Sequence, residues 1–164
     1  MPVDLLKNLK TSRPAGALLG IDPGKKTLGL ALGAPGQSFA TPIGTIPRGK
    51  FAQDVAALAR TVKDYDIKGL VIGFPLNMDG SEGPRCQSVR HFAQELEKHP
   101  EIVGNTPWIA LWDERLSTAS VEGFVGEFVD IRKAKKKGTI DALAAREILQ
   151  GALDFLAAPT LDST

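Results

Sequence analysis

The chain reads as an α/β protein: a five-stranded mixed sheet flanked by helices. Three observations predict this. Apolar runs over about 16–22, 27–33 and 37–46 follow one another with only turn formers between them, as in a meander of antiparallel strands. Two further apolar runs, 69–73 and 107–113, are separated by stretches of helical period, and strands joined through helices pair in parallel. Finally, 164 residues with 43% hydrophobic content are enough for one packed core.

Taken in order, residues 1–14 show no clear period and are expected to form a loose arm or a short helix, ahead of a single domain over 15–156. Asp22-Pro23-Gly24-Lys25-Lys26 separates the first two runs; Pro and Gly suit a tight reversal, so a hairpin is expected. Phe51, Val55, Leu58, Val62 and Tyr65 recur at four, three, four and three residues, one face of an amphipathic helix. Gly69-Leu70-Val71-Ile72-Gly73 reads as a buried strand. The turn-rich segment from Phe74 to Pro84 follows, then a helix marked by Val89, Phe92 and Leu96. After the run 107–113, Ser117 or Thr118 can cap a helix. Residues 130–138 form a basic loop, and 139–156 a last helix whose core contacts are Ile140, Leu143, Ala144, Ile148 and Leu149. A frayed tail is expected over 157–164.

Charge is nearly balanced, 20 basic against 19 acidic residues, so affinity for nucleic acid must come from a local patch. One cysteine, Cys86, excludes an internal disulfide and a zinc cluster. No run approaches the roughly 18 to 20 apolar residues needed to span a bilayer. The expectation is a cytoplasmic protein without a membrane partner, a monomer or a weak homodimer.

Three acids sit where a regular element meets a turn. Asp22 closes the first apolar run, Glu114 follows the run 107–113, and Asp141 opens the last helix. A carboxylate at the C-terminal end of a buried strand faces the crevice where α/β sheets bind ligands. If strands 17–22 and 107–113 are parallel and adjacent, Asp22 and Glu114 leave by the same end. Each acid also has an ordinary role: turn former, ion-pair member, or partner of the helix dipole. Together they would be costly, since two carboxylates about 4 Å apart repel by roughly 4 kcal/mol at an effective dielectric of about 20. Mg²⁺ or Mn²⁺, which prefer oxygen ligands, would relieve that repulsion. The expected metal site and catalytic set is therefore Asp22, Glu114 and Asp141.

The cluster Arg132-Lys133-Ala134-Lys135-Lys136-Lys137 precedes Asp141, and Lys25 and Lys26 adjoin Asp22. Arg132, Lys133, Lys135, Lys136 and Lys137 are thus candidates, with Lys25 and Lys26, for salt-sensitive contact with a phosphate backbone. Arg115 can hold a phosphate or orient a carboxylate through two hydrogen bonds, and Asn77 can bond phosphate or sugar from the 74–84 loop. His91 and His99 lack a metal-binding partner at suitable spacing. Gly20 to Lys25 does not have phosphate-loop spacing.

Four segments occur in a telling order: Gly20-Ile21-Asp22-Pro23-Gly24; Ile72-Gly73-Phe74-Pro75-Leu76-Asn77-Met78-Asp79-Gly80; Asp113-Glu114-Arg115-Leu116-Ser117-Thr118; and Asp141-Ala142-Leu143-Ala144-Ala145. In these the chain resembles the YqgF/RuvX family of pre-16S ribosomal RNA nucleases, over about 15–156. The resemblance implies an RNase H-like fold, an acidic site at Asp22, Glu114 and Asp141, and maturation of the 5′ end of 16S ribosomal RNA. Related Holliday-junction resolvases carry another acid three residues after the last one, where this chain has Ala144. Two other readings stay open: a resolvase of DNA junctions, and a non-catalytic RNA-binding factor of ribosome assembly.

Overall fold

The computed structural model describes residues 3–104, 107–117 and 137–158. The described strands are β1 (Val3–Leu5), β2 (Ala17–Pro23), β3 (Thr27–Gly33), β4 (Thr41–Pro47), β5 (Ile67–Phe74) and β6 (Ile109–Asp113). The helices are α1 (Leu6–Leu9), α2 (Phe51–Tyr65), α3 (Pro84–Glu97), α4 (Pro100–Val103) and α5 (Lys137–Ala157). All six strands join one sheet in the order β1-β6-β5-β2-β3-β4. β2, β3 and β4 form the antiparallel meander, while β1, β6, β5 and β2 run parallel.

The sheet is mixed and flanked by helices, as expected, but it has six strands rather than five. The additional strand is Val3–Leu5, paired with Ile109–Leu111, and three residues are too few for a period to show. The chain then turns through α1, with Leu6 and Leu9 buried. Trp108 Nε1 donates to the Leu9 carbonyl at 3.2 Å, fastening this segment to the start of β6.

A second difference concerns the third strand. Residues 37–40 do not extend β4, which begins at Thr41. The side chain of Gln150 on α5 takes their backbone groups instead: Oε1 accepts from the Ala40 amide at 2.8 Å and Nε2 donates to the Ser38 carbonyl at 2.9 Å.

Strand alternation divides the core in two. Leu19, Ile21, Leu70 and Ile72 face the layer that contains Val55, Leu58, Phe92 and Leu96. Leu18, Val71, Ala110 and Trp112 face α5 through Ala145, Ile148, Leu149 and Leu153. The α5 side is closely approached. A Cβ at Gly20 would stand 2.6 Å from Leu149 Cβ, and one at Gly29 only 2.0 Å from the Asp141 carbonyl oxygen. Absent side chains on β2 and β3 therefore let the start of α5 settle on the sheet. That contact sets the position of the site.

Candidate active site

β2, β5 and β6 end at the same edge because they are parallel. Asp22 is the penultimate residue of β2, paired with Gly29 on β3. Glu114 directly follows β6. The two strands are parallel but not adjacent: β5 lies between them, which corrects the expected neighbour relation. Gly73, near the end of β5, makes up for the extra distance. A Cβ there would lie 2.8 Å from Glu114 Oε1, so the Glu114 carboxylate occupies the space over Gly73 on the way toward Asp22. A glycine in a strand commonly marks such a close approach.

Asp141 arrives from the other direction. Its backbone rests on Gly29, the residue paired with Asp22. Thr27, at the start of β3, donates its hydroxyl to Asp141 Oδ2. Three elements distant in the chain thus bring the three acids to one end of the sheet.

The electrostatics agree with that placement. Burial, and after it the Asp141 charge, raise the Asp22 carboxyl to about 6 against the opposing charge of Arg85. Burial and the Asp22 charge, opposed by Arg85 and helped a little by Asp113, push Glu114 up to about 7. Asp22 is the common neighbour of the other two. Among the described residues no three His, Cys, Asp or Glu side chains close into a ready metal cluster. The carboxylates converge without forming a finished cage.

Arg85 is the functional candidate that sequence reading missed. It occupies the first turn of α3 behind Pro84, exposed to solvent, and its charge reaches both Asp22 and Glu114. Its only sequence signal is its place at the end of the turn-rich loop.

The other candidates are distributed as follows. Lys25 and Lys26 are exposed at the tip of the β2–β3 hairpin, next to Asp22. Arg115 is engaged within the protein. Its Nη2 donates to Asp113 Oδ2 at 2.6 Å, its Nε to Asp113 Oδ1 at 3.0 Å, and its Nη1 to the Met78 carbonyl at 3.3 Å. It therefore ties the end of β6 to the 74–84 loop. Asn77 is exposed and donates to Ser81 Oγ at 3.0 Å, while Asp79 accepts from both the amide and the hydroxyl of Ser81. The loop is thus internally braced. Arg132, Lys133, Lys135 and Lys136 lie outside the described residues, as do the side chain of Lys137 and the helix expected after Thr118.

Comparison with known proteins identifies the family and the fold. The family model described as "RuvX: Holliday junction resolvase" matches residues 16–155. A protein of Rhodospirillum centenum is 50% identical over 157 residues, covering 95% of this chain and 83% of its own. One of Ruegeria pomeroyi is 47% identical over 143 residues, covering 87% of this chain and 89% of its own. Both carry the name "Putative pre-16S rRNA nuclease". Among solved structures, Thermus thermophilus RuvC in complex with a Holliday junction substrate aligns with a TM-score of 0.54 at 15% identity, over 84% of this chain and 93% of that one. The last likeness concerns the fold, which is RNase H-like.

Proposed function

The chain belongs to the RuvX family, and from that membership we propose that it is a metal-dependent endonuclease processing the 5′ end of pre-16S ribosomal RNA in the cytoplasm. The observation that carries this reading is Asp22, set between Glu114 and Asp141 at one end of the sheet and raised to about 6 by burial and by Asp141. Buried carboxylates that disfavour one another's charge mark functional sites more often than structural ones. The names of the relatives support RNA as the substrate.

The donor set suits a hard divalent cation: carboxylate oxygens, no sulfur, and an excess of negative charge that such an ion would offset. Asp22 and Glu114 would hold Mg²⁺ or Mn²⁺, with Asp141 completing the set. When bound, the ion would make its water acidic and offset charge on the phosphoryl oxygens.

The chain's own residues supply the rest. Thr27 holds the Asp141 carboxylate in one orientation. Glu114 and Asp22 are half-buried, so their charges act through a medium less polar than water. The exposed Arg85 guanidinium stands where a phosphate approaching both acids would meet it. Lys25 and Lys26, with the basic segment Arg132 to Lys137, guide the backbone by charge alone. Arg115 and Asn77 serve through the 74–84 loop that they brace. No helix among the described residues is long and apolar enough to cross a membrane, and we propose that the enzyme acts as a monomer or weak homodimer.

A DNA-junction resolvase is the second reading, favoured by the description of the matching family. It is the weaker of the two because position 144 is alanine, where the junction resolvases that the family resembles carry another acid. One experiment separates them. Precursor 16S RNA and a four-way DNA junction are each incubated with Mg²⁺ or Mn²⁺ and either the wild type or Asp22→Asn. RNA cleavage that falls about 10²- to 10³-fold in the variant is expected, the scale seen when one electrostatic stabiliser is removed. Equal RNA cleavage by both proteins would overturn the assignment; cleavage of the junction alone would establish the second reading.

A further inference from the structure

The sheet has a notch beside the acidic site. β1 stops at Leu5, opposite Leu111, while β6 runs on to Asp113 against Phe74 of β5. No described strand continues the sheet plane past Leu5, and a cavity of about 290 Å³ opens there. Its walls come from both layers. Phe74 and Leu76 belong to the core on the α2 and α3 side; Leu6, Trp112 and Phe155 belong to the core under α5. The cavity is therefore a slot between two apolar walls, lying in the plane that a further stretch of β1 would fill.

The rim has a different chemistry. Lys7 and Arg115 stand on it with Glu82 and Asp113, two cations and two anions. A bare phosphate gains little from a rim whose charges cancel. A neutral, flat group with donors and acceptors along its edge suits both the rim and the walls. The volume is near the lower end of small-molecule sites, roughly 300 to 1,000 Å³, so the occupant is small.

We propose that this slot receives one unstacked nucleobase of the strand held at the acidic site, an inference that rests on the nuclease reading above. Continuity with that site carries the argument. Asp113 and Arg115 border the slot, and Glu114 between them turns the other way, over Gly73. A strand whose phosphate meets Glu114 and Asp22 has a neighbouring base within reach of the slot. Unpaired bases are held by apolar and aromatic side chains and read along their polar edges. Arg115 takes a specific place in this scheme: by fixing Asp113 and the Met78 carbonyl, it sets the width of the slot's mouth.

The test uses the full chain in a chelating buffer, so that binding is measured without cleavage. A labelled single-stranded oligoribonucleotide is compared by anisotropy with a set in which one position at a time is abasic. One abasic position is expected to weaken binding about 10-fold, on the scale of a single base–aromatic contact. Leu76→Trp, which fills the slot, is expected to bind the intact strand about 10-fold more weakly and to lose sensitivity to that position. In the wild type the intact strand should quench tryptophan fluorescence, and in Trp112→Phe it should not, because both tryptophans are buried but Trp112 lines the slot and Trp108 does not. Abasic strands that all bind like the intact one would overturn the proposal, as would unchanged binding by a folded Leu76→Trp. If RNA is still cut in Mg²⁺, only the slot is lost. If no strand binds at all, the slot proposal falls, while the nuclease reading stands or falls on the cleavage assay with Mg²⁺.

Discussion

Asp113 and Glu114 are neighbours in the chain, at the end of the same strand, and their surroundings treat them oppositely. Asp113 accepts a forked set of hydrogen bonds from Arg115, which holds its carboxyl below the usual range. Glu114 turns across Gly73 into ground shared with Asp22, where burial and a second negative charge push it up to about 7. One acid is closed off by a local cation and serves architecture, joining β6 to the 74–84 loop. The other is kept buried beside a like charge, an arrangement that costs stability and makes sense where a ligand will balance it. Proximity to a site does not by itself confer a role in it; the partner on the other side of the carboxylate does.

The sharpest way to break this contrast is to neutralise each acid separately. Glu114→Gln keeps the size of the side chain and should lower Mg²⁺-dependent RNA cleavage about 10²- to 10³-fold, as removal of one electrostatic stabiliser does. Asp113→Asn should cost far less activity, about 10-fold at most, because it loosens a loop anchor worth on the order of 1 kcal/mol at a half-exposed pair. Rates measured at saturating RNA check both. Equal losses would erase the distinction between the two regions.

Gly73→Ala tests the same contrast without changing any charge. The added methyl would stand 2.6 Å from Ile148 Cδ1 and 2.8 Å from Glu114 Oε1, inside normal contact with both, and should displace the Glu114 carboxylate together with the end of Ile148 while leaving Asp113 and Arg115 in place. Since a displacement of about 1 Å in a catalytic group costs up to roughly 10²-fold, cleavage should fall 10- to 100-fold with little change in RNA affinity. A variant that cleaves like the wild type would show that Glu114 does not need the space over Gly73.

Much of this was legible in the sequence, and what was hidden has a physical reason. The apolar runs ending at Asp22 and Asp113, and the helix that carries Asp141, follow from local pattern, so the placement of the acids at element ends could be read directly. Strand order could not. β5 lies between β2 and β6, and nothing local to residues 17–23 or 109–113 encodes that a third strand separates them. The role of Gly73 was invisible for the same reason. β1 is three residues long, below any period. For Arg115 both a phosphate and a carboxylate were open as partners, and the choice of Asp113, two residues away, is made by a side-chain rotamer rather than by spacing. Arg85 was a lone arginine at a helix start, with no pattern to mark it.

The smallest predicted effect is on stability, and there the two regions should differ in sign. Asp22 at about 6 and Glu114 at about 7 lie above the ordinary carboxylate values of roughly 4 that hold in the unfolded chain. The folded protein therefore binds these protons more tightly, so stability falls as pH rises from about 4 to about 7. Asp113 works the other way: with its folded value lowered, it adds stability above the unfolded value, and that stability disappears as pH drops through the folded one. Without metal, Asp22→Asn should melt near the wild type at pH 4 and several degrees above it at pH 8, since about 1 kcal/mol moves the midpoint of a chain this size by roughly 2 to 4 °C. Asp113→Asn should melt below the wild type at pH 7 and approach it toward pH 3. Adding Mg²⁺ at pH 8 should raise the wild-type midpoint and leave Asp22→Asn unmoved, because an ion that binds only the folded state stabilises it by mass action. An Asp22→Asn offset that stays constant from pH 4 to pH 8 would mean that Asp22 titrates like a surface carboxylate. The two ends of the contrast would then rest on geometry alone.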